Sequence, residues 1–151
     1  MMSIGSVKSA GSAGNYYTDK DNYYVIGSMD ERWQGKGAEA LGIDGKAVDK
    51  ALFTELLKGK LPDGSDLTRI QDGANKHRPG YDLTFSAPKS VSMLAMLGGD
   101  KRLIDAHNRA VTVALNQVES LASTRVKRDG VSETVLTGNL IIARFNHDTS
   151  R

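Results

Sequence analysis

The sequence predicts an α+β domain in which helices pack on a mainly antiparallel sheet. Three features lead to this fold class: strand-like alternation in residues 80–85, an apolar helical stripe over residues 103–122, and three short strand-like runs after that stripe. The chain has 151 residues, of which 39% are hydrophobic and 25% charged, and these values suit one ordinary globular domain.

Composition excludes several classes of site. The chain contains no cysteine, which rules out disulfides, thiolate catalysis and cysteine-ligated zinc and indicates a reducing compartment. The net charge is +2 without a polybasic tail, so charge alone does not identify a partner. Neither a signal-peptide core nor a run of roughly 18 apolar residues is present. We therefore expect a cytoplasmic protein without membrane insertion.

The first half of the chain predicts one clear helix between less regular segments. Small residues dominate 1–14, which is expected to lead into a helix that carries a pair of tyrosines. Glycines divide 28–45 into a loop with short helical pieces. Apolar residues recur at helical spacing over 47–58, and Gly59 follows where a helix C-cap belongs. The Pro-, Gly- and Asp-containing stretch 61–80 predicts an exposed connection.

The stretch GYDLTF carries the sharpest strand pattern. Tyr81, Leu83 and Phe85 are predicted to form a buried face because they alternate with polar residues. Asp82 and Thr84 then project together from the opposite face.

The second half predicts helices followed by a meander of strands. Pro88 suits the first turn of a helix over 91–97. A longer helix covers 103–122. Three strands follow, the first two joined at an Asp-Gly turn signal. The last strand is apolar at successive positions, which is typical of a strand in the middle of a sheet.

Four of the five tyrosines lie close together, at positions 16, 17, 23 and 24. Three interpretations fit the residues themselves. The rings can pack in the core, they can stack on single-stranded bases beside Lys20, or one hydroxyl can act as a nucleophile. A phenol with a pKa near 10 attacks only with help from a base or from a cation on the attacked group.

The three histidines give a weak signal for metal binding. His107 lies in the apolar stripe of the long helix and is expected in the core or at its boundary. His77 lies in a polar connection and is expected to be solvated. His147 ends a predicted strand, but one imidazole does not make a metal site.

Five segments, taken in their order along the chain, resemble the N-terminal part of the conjugative relaxases of the MobF family, the TraI/TrwC type. The resemblance is especially close for the relaxases of F-like plasmids. The segments are GSAGNYYTDKDNYY, RWQGKGAEALG, FTELLKGKLPDG, RPGYDLTFSAPKSVS and FNHDTSR. The resemblance implies a palm-like relaxase fold and an enzyme that nicks and rejoins plasmid DNA at the origin of transfer. A tyrosine attacks the scissile phosphate, which gives a 5′-phosphotyrosine and a free 3′-hydroxyl.

The resemblance also assigns roles to the tyrosines and to one carboxylate. Tyr16, ahead of Tyr17 in the first pair, matches the initial nucleophile. Tyr23 or Tyr24 matches the tyrosine of a later cleavage or rejoining. Asp82 matches an acidic residue that orients a metal-binding histidine or helps to take the tyrosine proton.

The resemblance also implies a divalent metal ion, Mg²⁺ or Mn²⁺, that acts as a Lewis acid on the scissile phosphate. His147 matches the first of its three histidine ligands, and the other two belong to a downstream H-x-H that this sequence lacks. Arg151 and Lys89 match positions that bind the substrate, where a guanidinium can contact phosphate with two hydrogen bonds.

We therefore expect residues 1–151 to be the N-terminal portion of a single relaxase domain, truncated before the H-x-H and not competent to nick alone. The implied partners are single-stranded plasmid DNA at the origin of transfer, the accessory proteins of the relaxosome, and the conjugative secretion machinery. The implied location is the bacterial cytoplasm, with transfer to the recipient cell. The alternative is a non-enzymatic module that binds single-stranded nucleic acid by stacking on the tyrosines.

Overall fold

A computed structural model describes residues 2–13, 31–68, 70–71, 74–75, 77–88, 90 and 101–145. The strands in these ranges are β1 Met2–Val7, β2 Arg32–Gln34, β3 Ile70–Gln71, β4 Ala74–Asn75, β5 Gly80–Phe85, β6 Ser123–Arg128, β7 Val131–Leu136 and β8 Ile142–Arg144. The helices are α1 Lys36–Ala40, α2 Lys50–Lys58 and α3 Lys101–Ser120. Residues 10–13 are also helical. No helix in the described ranges is long and apolar enough to cross a bilayer.

The strands pair as β1 with β5, β2 with β8, β3 with β4, and β6 with β7. The β3–β4 and β6–β7 pairs are antiparallel. Helices together with antiparallel strands confirm the α+β class. The predicted meander is correct for β6 and β7, but wrong for the third strand, because β8 pairs with β2. An apolar run indicates burial without specifying which neighbour provides it.

The chain divides into two compact units. The first comprises Met1–Trp33, Gly45–Thr84 and Ala143–Arg151, and the second comprises Gln34–Asp44 and Phe85–Ile142.

An aromatic cluster forms the core of the first unit. Trp33 and Phe53 are buried, and their ring centroids lie 6.3 Å apart. The Phe53 ring meets Phe145 edge-on at 5.4 Å, a geometry that aromatic pairs favour. Phe145 immediately follows β8, so this contact holds the end of that strand.

Helix α2 confirms the helix predicted over 47–58 with a later start. The Asp49 carboxylate accepts the Leu52 backbone N–H at 2.9 Å, so Asp49 is the N-cap and the helix begins at Lys50. Gly59 ends it in the left-handed conformation at φ 92°.

Glu119 organises the second unit. Its side chain is buried, and its Oε2 accepts the backbone N–H groups of Lys36 at 2.7 Å and Leu140 at 2.9 Å. The Leu140 carbonyl accepts the Gly37 N–H at 2.9 Å. These bonds connect α3, the start of α1 and the segment that leads into β8.

Several expectations from the sequence need correction. Residues 2–7, expected to lead into a helix, form a strand against β5, and residues 32–34 form a strand within the expected loop. Both are short and weakly alternating, and their pairing depends on distant partners.

Side-chain burial corrects two further expectations. Tyr81 is 65% exposed, so it does not belong to a buried face of β5. Within the described residues β5 pairs with β1 alone, and most of β1 is itself exposed. His77 is half-buried, and its ring lies close to Gly59. A Cβ placed on that glycine would lie only 3.0 Å from the ring. His107 is half-buried on α3, as expected.

Candidate active site

Asp82 is the candidate catalytic residue that the structure describes. It lies in the middle of β5 and is half-buried. The Thr84 hydroxyl donates to Asp82 Oδ1 at 3.4 Å, which agrees with the predicted common face of these two residues. A carboxylate is the type of group that can accept a proton or orient a hydrogen-bond donor, which is the role expected of Asp82.

The other predicted site residues lie outside the described residues, and their roles stay predictions. They are Tyr16, Tyr17, Tyr23, Tyr24, Lys89, His147 and Arg151.

The chain is held in place shortly before the first tyrosine pair. Ser9 Oγ accepts the Ser12 N–H at 3.3 Å, an N-cap pattern, and the Ser9 carbonyl accepts the Ala13 N–H at 3.0 Å. Ala13 is buried. Tyr16 follows Ala13 by three residues in the sequence.

A second anchored segment precedes His147. Arg144, the last residue of β8, is buried, and the Phe145 ring packs on Phe53. His147 follows Phe145 by two residues in the sequence. The fold of the first unit thus fixes backbone close in sequence to the predicted nucleophile and to the predicted metal ligand.

The described ranges hold no group of three His, Asp or Glu side chains that could bind a metal ion. These residues therefore do not form a metal site by themselves, and no step of the chemistry is derived through one.

Sequence reasoning missed the structural role of Glu119. The residue lies four positions after the buried Leu115 on the apolar face of α3. A carboxylate at such a position requires hydrogen-bond partners. A glutamate on the apolar face of the predicted helix could therefore have indicated this structural role.

Comparison with known proteins gives concordant matches. The family model described as TrwC relaxase matches residues 10–151. A protein of Escherichia coli K12 described as multifunctional conjugation protein TraI is 77% identical over all 151 residues, and a second Escherichia coli TraI is equally similar. The chain spans 8% of the length of each of these relatives.

Solved structures agree with this result. A metal-bound structure of the conjugative relaxase TrwC with oriT DNA matches 99% of this chain and 52% of its own, with 42% identity and a TM-score of 0.83. A copper-bound TrwC complex with oriT DNA gives 43% identity and a TM-score of 0.84 over 99% of this chain and 52% of its own. TrwC with a 27-mer DNA, comprising the recognition hairpin and the cleavage site, matches all of this chain and 50% of its own at 41% identity, with a TM-score of 0.81.

Proposed function

The chain belongs to the TrwC relaxase family, and on that premise we propose that it is part of an enzyme that nicks and rejoins plasmid DNA at the origin of transfer in bacterial conjugation. The observation that carries the proposal is the 77% identity to TraI over the whole chain. Solved TrwC complexes with oriT DNA support the choice of substrate. Single-stranded DNA at the origin is the proposed partner.

The proposed reaction is a transesterification. The Tyr16 oxygen attacks the scissile phosphorus, the bond from phosphorus to the 3′-oxygen breaks, and a phosphotyrosine forms on the 5′ side. Asp82 takes the phenolic proton or orients the group that does, and the departing 3′-oxygen gains a proton. Tyr16 needs this help because an ordinary phenol is protonated at neutral pH. The number of phosphate ester bonds does not change, so the cut can be resealed.

The remaining predicted residues fit supporting roles. Tyr23 or Tyr24 performs a later cleavage or rejoining, and Tyr17 flanks the nucleophile. Arg151 and Lys89 bind DNA phosphate near the cleaved bond, where cationic donors offset developing negative charge.

The metal ion is proposed as a divalent cation held in part by His147. Metal-bound and copper-bound TrwC structures support such an ion. The chain has three histidines and no H-x-H, so the other two expected ligands lie outside this sequence. We infer that the 151 residues form one portion of a relaxase domain and need the H-x-H segment for nicking. Accessory proteins and the conjugative secretion machinery are further proposed partners, with the bacterial cytoplasm as the site of nicking before transfer to the recipient.

The test is formation of a denaturation-resistant protein–DNA adduct on a labelled single-stranded origin oligonucleotide with Mg²⁺ or Mn²⁺. The assay compares this chain with a longer chain that includes the H-x-H. We expect the adduct in the longer chain, and its loss in Tyr16→Phe. Tyr81→Phe is the matched control because Tyr81 is an exposed tyrosine outside the two pairs.

Three results would contradict the proposal. An adduct that persists in Tyr16→Phe would exclude this nucleophile. An adduct formed by the short chain would remove the requirement for the H-x-H segment. Binding without any adduct in the longer chain would favour the non-enzymatic alternative, in which the tyrosines stack on bases and form no covalent bond with DNA.

A further inference from the structure

The tip of the hairpin formed by β6 and β7 is an Asp-Gly dipeptide. The strand register pairs Arg128 with Val131, so Asp129 and Gly130 alone make the turn. Their φ angles are 51° and 79°, and positive values at both positions are typical of a type I′ turn. Both residues are exposed.

An Asp-Gly dipeptide can react within its own backbone. The glycine nitrogen attacks the protonated side-chain carboxyl of the aspartate, a nitrogen–carbon bond forms, and the bond from that carbon to the hydroxyl oxygen breaks. Water leaves with the amide proton, and a five-membered succinimide ring remains. A second water molecule opens the ring at either carbonyl, which restores aspartate or gives isoaspartate. Glycine favours the attack because it has no Cβ to obstruct the approach.

The described residues include three Asp-Gly dipeptides, at 44–45, 63–64 and 129–130. A fourth, at 72–73, lies outside them. The aspartate is exposed in all three described dipeptides. Exposure therefore does not distinguish one site from another, and the state of the attacking nitrogen and of the carboxyl group must do so.

The attacking nitrogen is held by a hydrogen bond in two of the three dipeptides. The Gly45 N–H donates to the Trp33 carbonyl at 2.8 Å, and the Gly64 N–H donates to the Leu61 carbonyl at 3.1 Å. Within the part of the chain that the structure describes, no group accepts the Gly130 N–H. The nitrogen of Gly130 is thus available for attack without the prior loss of a hydrogen bond.

The carboxyl group of Asp63 is protected as well. Its Oδ1 accepts the Ser65 backbone N–H at 2.8 Å, and this bond, together with one from the Ser65 side chain, holds the pKa of Asp63 below its ordinary value. A lower pKa keeps the carboxylate ionised, and the ionised form does not lose its oxygen as water.

The hairpin is anchored at its base and not at its tip. The Ala122 carbonyl, just before β6, accepts the N–H groups of Thr137 at 2.8 Å and Gly138 at 3.2 Å. Beyond this base, and within the described residues, β6 and β7 pair only with each other. A two-stranded hairpin is marginally stable, so opening of its last pair requires little free energy. Such opening lets the Asp129 carboxyl rotate onto the Gly130 nitrogen.

We propose that Asp129 is a site of spontaneous isomerisation, where a succinimide formed with the Gly130 nitrogen converts aspartate to isoaspartate while Asp44 and Asp63 are protected. The inference goes beyond the proposed function and does not depend on it. In isoaspartate the main chain passes through the former side chain and is one carbon longer. A two-residue turn no longer fits this path, so the β6–β7 register is lost at this end of the hairpin.

The experiment follows isoaspartate by peptide mapping after this chain has been incubated for several weeks in mildly acidic buffer at physiological temperature. Trypsin gives peptides 37–46 and 61–69, and cleavage after glutamate gives peptide 120–133. Each peptide contains one Asp-Gly dipeptide. Electron-transfer fragmentation distinguishes isoaspartate from aspartate of equal mass. A parallel incubation in urea releases every backbone N–H, and circular dichroism confirms that the sample without urea stays folded.

In the folded chain we expect the isoaspartate fraction at position 129 to exceed the fractions at 44 and 63 about fivefold or more. The reason is that each protected site must first lose a backbone hydrogen bond, which lowers the reactive population by about that factor. In urea the three sites should react at similar rates, because the residue after each aspartate is glycine.

Two variants test the same site through a faster reaction. Asp129→Asn forms the same succinimide with loss of ammonia, and asparagine tolerates the positive φ of this turn. Asp44→Asn is the matched control, since the nitrogen that would attack there is hydrogen-bonded to Trp33. Asp129→Asn should deamidate about fivefold faster than Asp44→Asn in the folded chain, and the change in mass measures both rates.

Equal isoaspartate fractions at the three sites of the folded chain, or a larger fraction at 44 or 63, would overturn the proposal. Isoaspartate at 129 in urea but not in the folded chain would also overturn it, because the turn would then protect the dipeptide. Equal deamidation rates of Asp129→Asn and Asp44→Asn would show that the hydrogen bond to the attacking nitrogen has no effect, and the proposal would fail.

Discussion

The Glu119 carboxylate and the Leu140 backbone N–H are joined by a hydrogen bond of 2.9 Å, and the same oxygen accepts the Lys36 N–H at 2.7 Å. Glu119→Ala removes the acceptor for both N–H groups. We expect a loss of about 3 kcal/mol in the free energy of unfolding, because hydrogen bonds to a charged group contribute roughly 1.5–3 kcal/mol each. The urea midpoint of this chain measures the loss.

Two controls make this test specific. Glu119→Gln keeps a side-chain carbonyl oxygen as acceptor and should lose less stability than Glu119→Ala. Glu133→Ala removes an exposed glutamate and should change stability by at most about 0.5 kcal/mol. If Glu119→Ala unfolds at the same urea concentration as Glu133→Ala, the buried carboxylate does not hold the second unit together.

Gly37 is predicted to be intolerant of any side chain because α1 lies close to the segment before β8. A Cβ at Gly37 would approach Ile141 Cγ1 to 2.6 Å and the Leu140 carbonyl oxygen to 2.9 Å. Gly37→Ala should therefore destabilise the chain by about 2–3 kcal/mol, within the range of overpacked sites. Gly11→Ala is the control, because a Cβ there meets nothing within 4 Å. Equal thermal stability of the two variants would show that the close approach has no energetic consequence.

Asp82 is predicted to affect cleavage more than DNA binding. Asp82→Asn keeps an oxygen that can accept the Thr84 hydroxyl but cannot take a proton from a phenol at neutral pH. In the longer chain with the H-x-H, single-turnover adduct formation should slow about 100-fold, the lower range for general acid–base catalysis. Thr84→Val, which removes the hydrogen bond and keeps the carboxylate, should have a smaller effect. Cleavage by Asp82→Asn at the rate of the unmodified protein would exclude a catalytic role for the carboxylate.

Asp66 is predicted to titrate below 3.8, the ordinary pKa of an aspartate. The main cause is a hydrogen bond from the Thr68 side chain, followed by the Thr68 backbone N–H, which donates to Asp66 Oδ1 at 2.8 Å. Because the pKa is lower in the folded state, the interaction stabilises this loop above pH 3.8 and is lost as the pH falls through the folded-state pKa.

An NMR titration of the side-chain carboxyl carbons in Thr68→Val tests this cause. The Asp66 midpoint should rise toward 3.8 while the Asp63 midpoint stays low, because Ser65 lowers the pKa of Asp63. A shift of both midpoints, or of neither, would contradict the assignment.

Local patterns predicted those elements whose structure depends on neighbouring residues. Helix α2 with its Gly59 cap, helix α3, strand β5 and the β6–β7 turn were all predicted, because helical spacing, alternation and turn residues act over a few positions. Strand β1 was missed, since its residues become a strand only by pairing with β5, which begins far along the chain.

By itself the sequence determined the α+β class, the resemblance to relaxases and the candidate site residues. The tertiary structure decided which distant segments meet. It paired β8 with β2, buried Glu119 against two backbone N–H groups, and left Tyr81 exposed. These contacts depend on the three-dimensional path of the backbone. Burial and hydrogen-bond partners are set by all the segments that arrive at one place, and no short stretch of sequence contains that information.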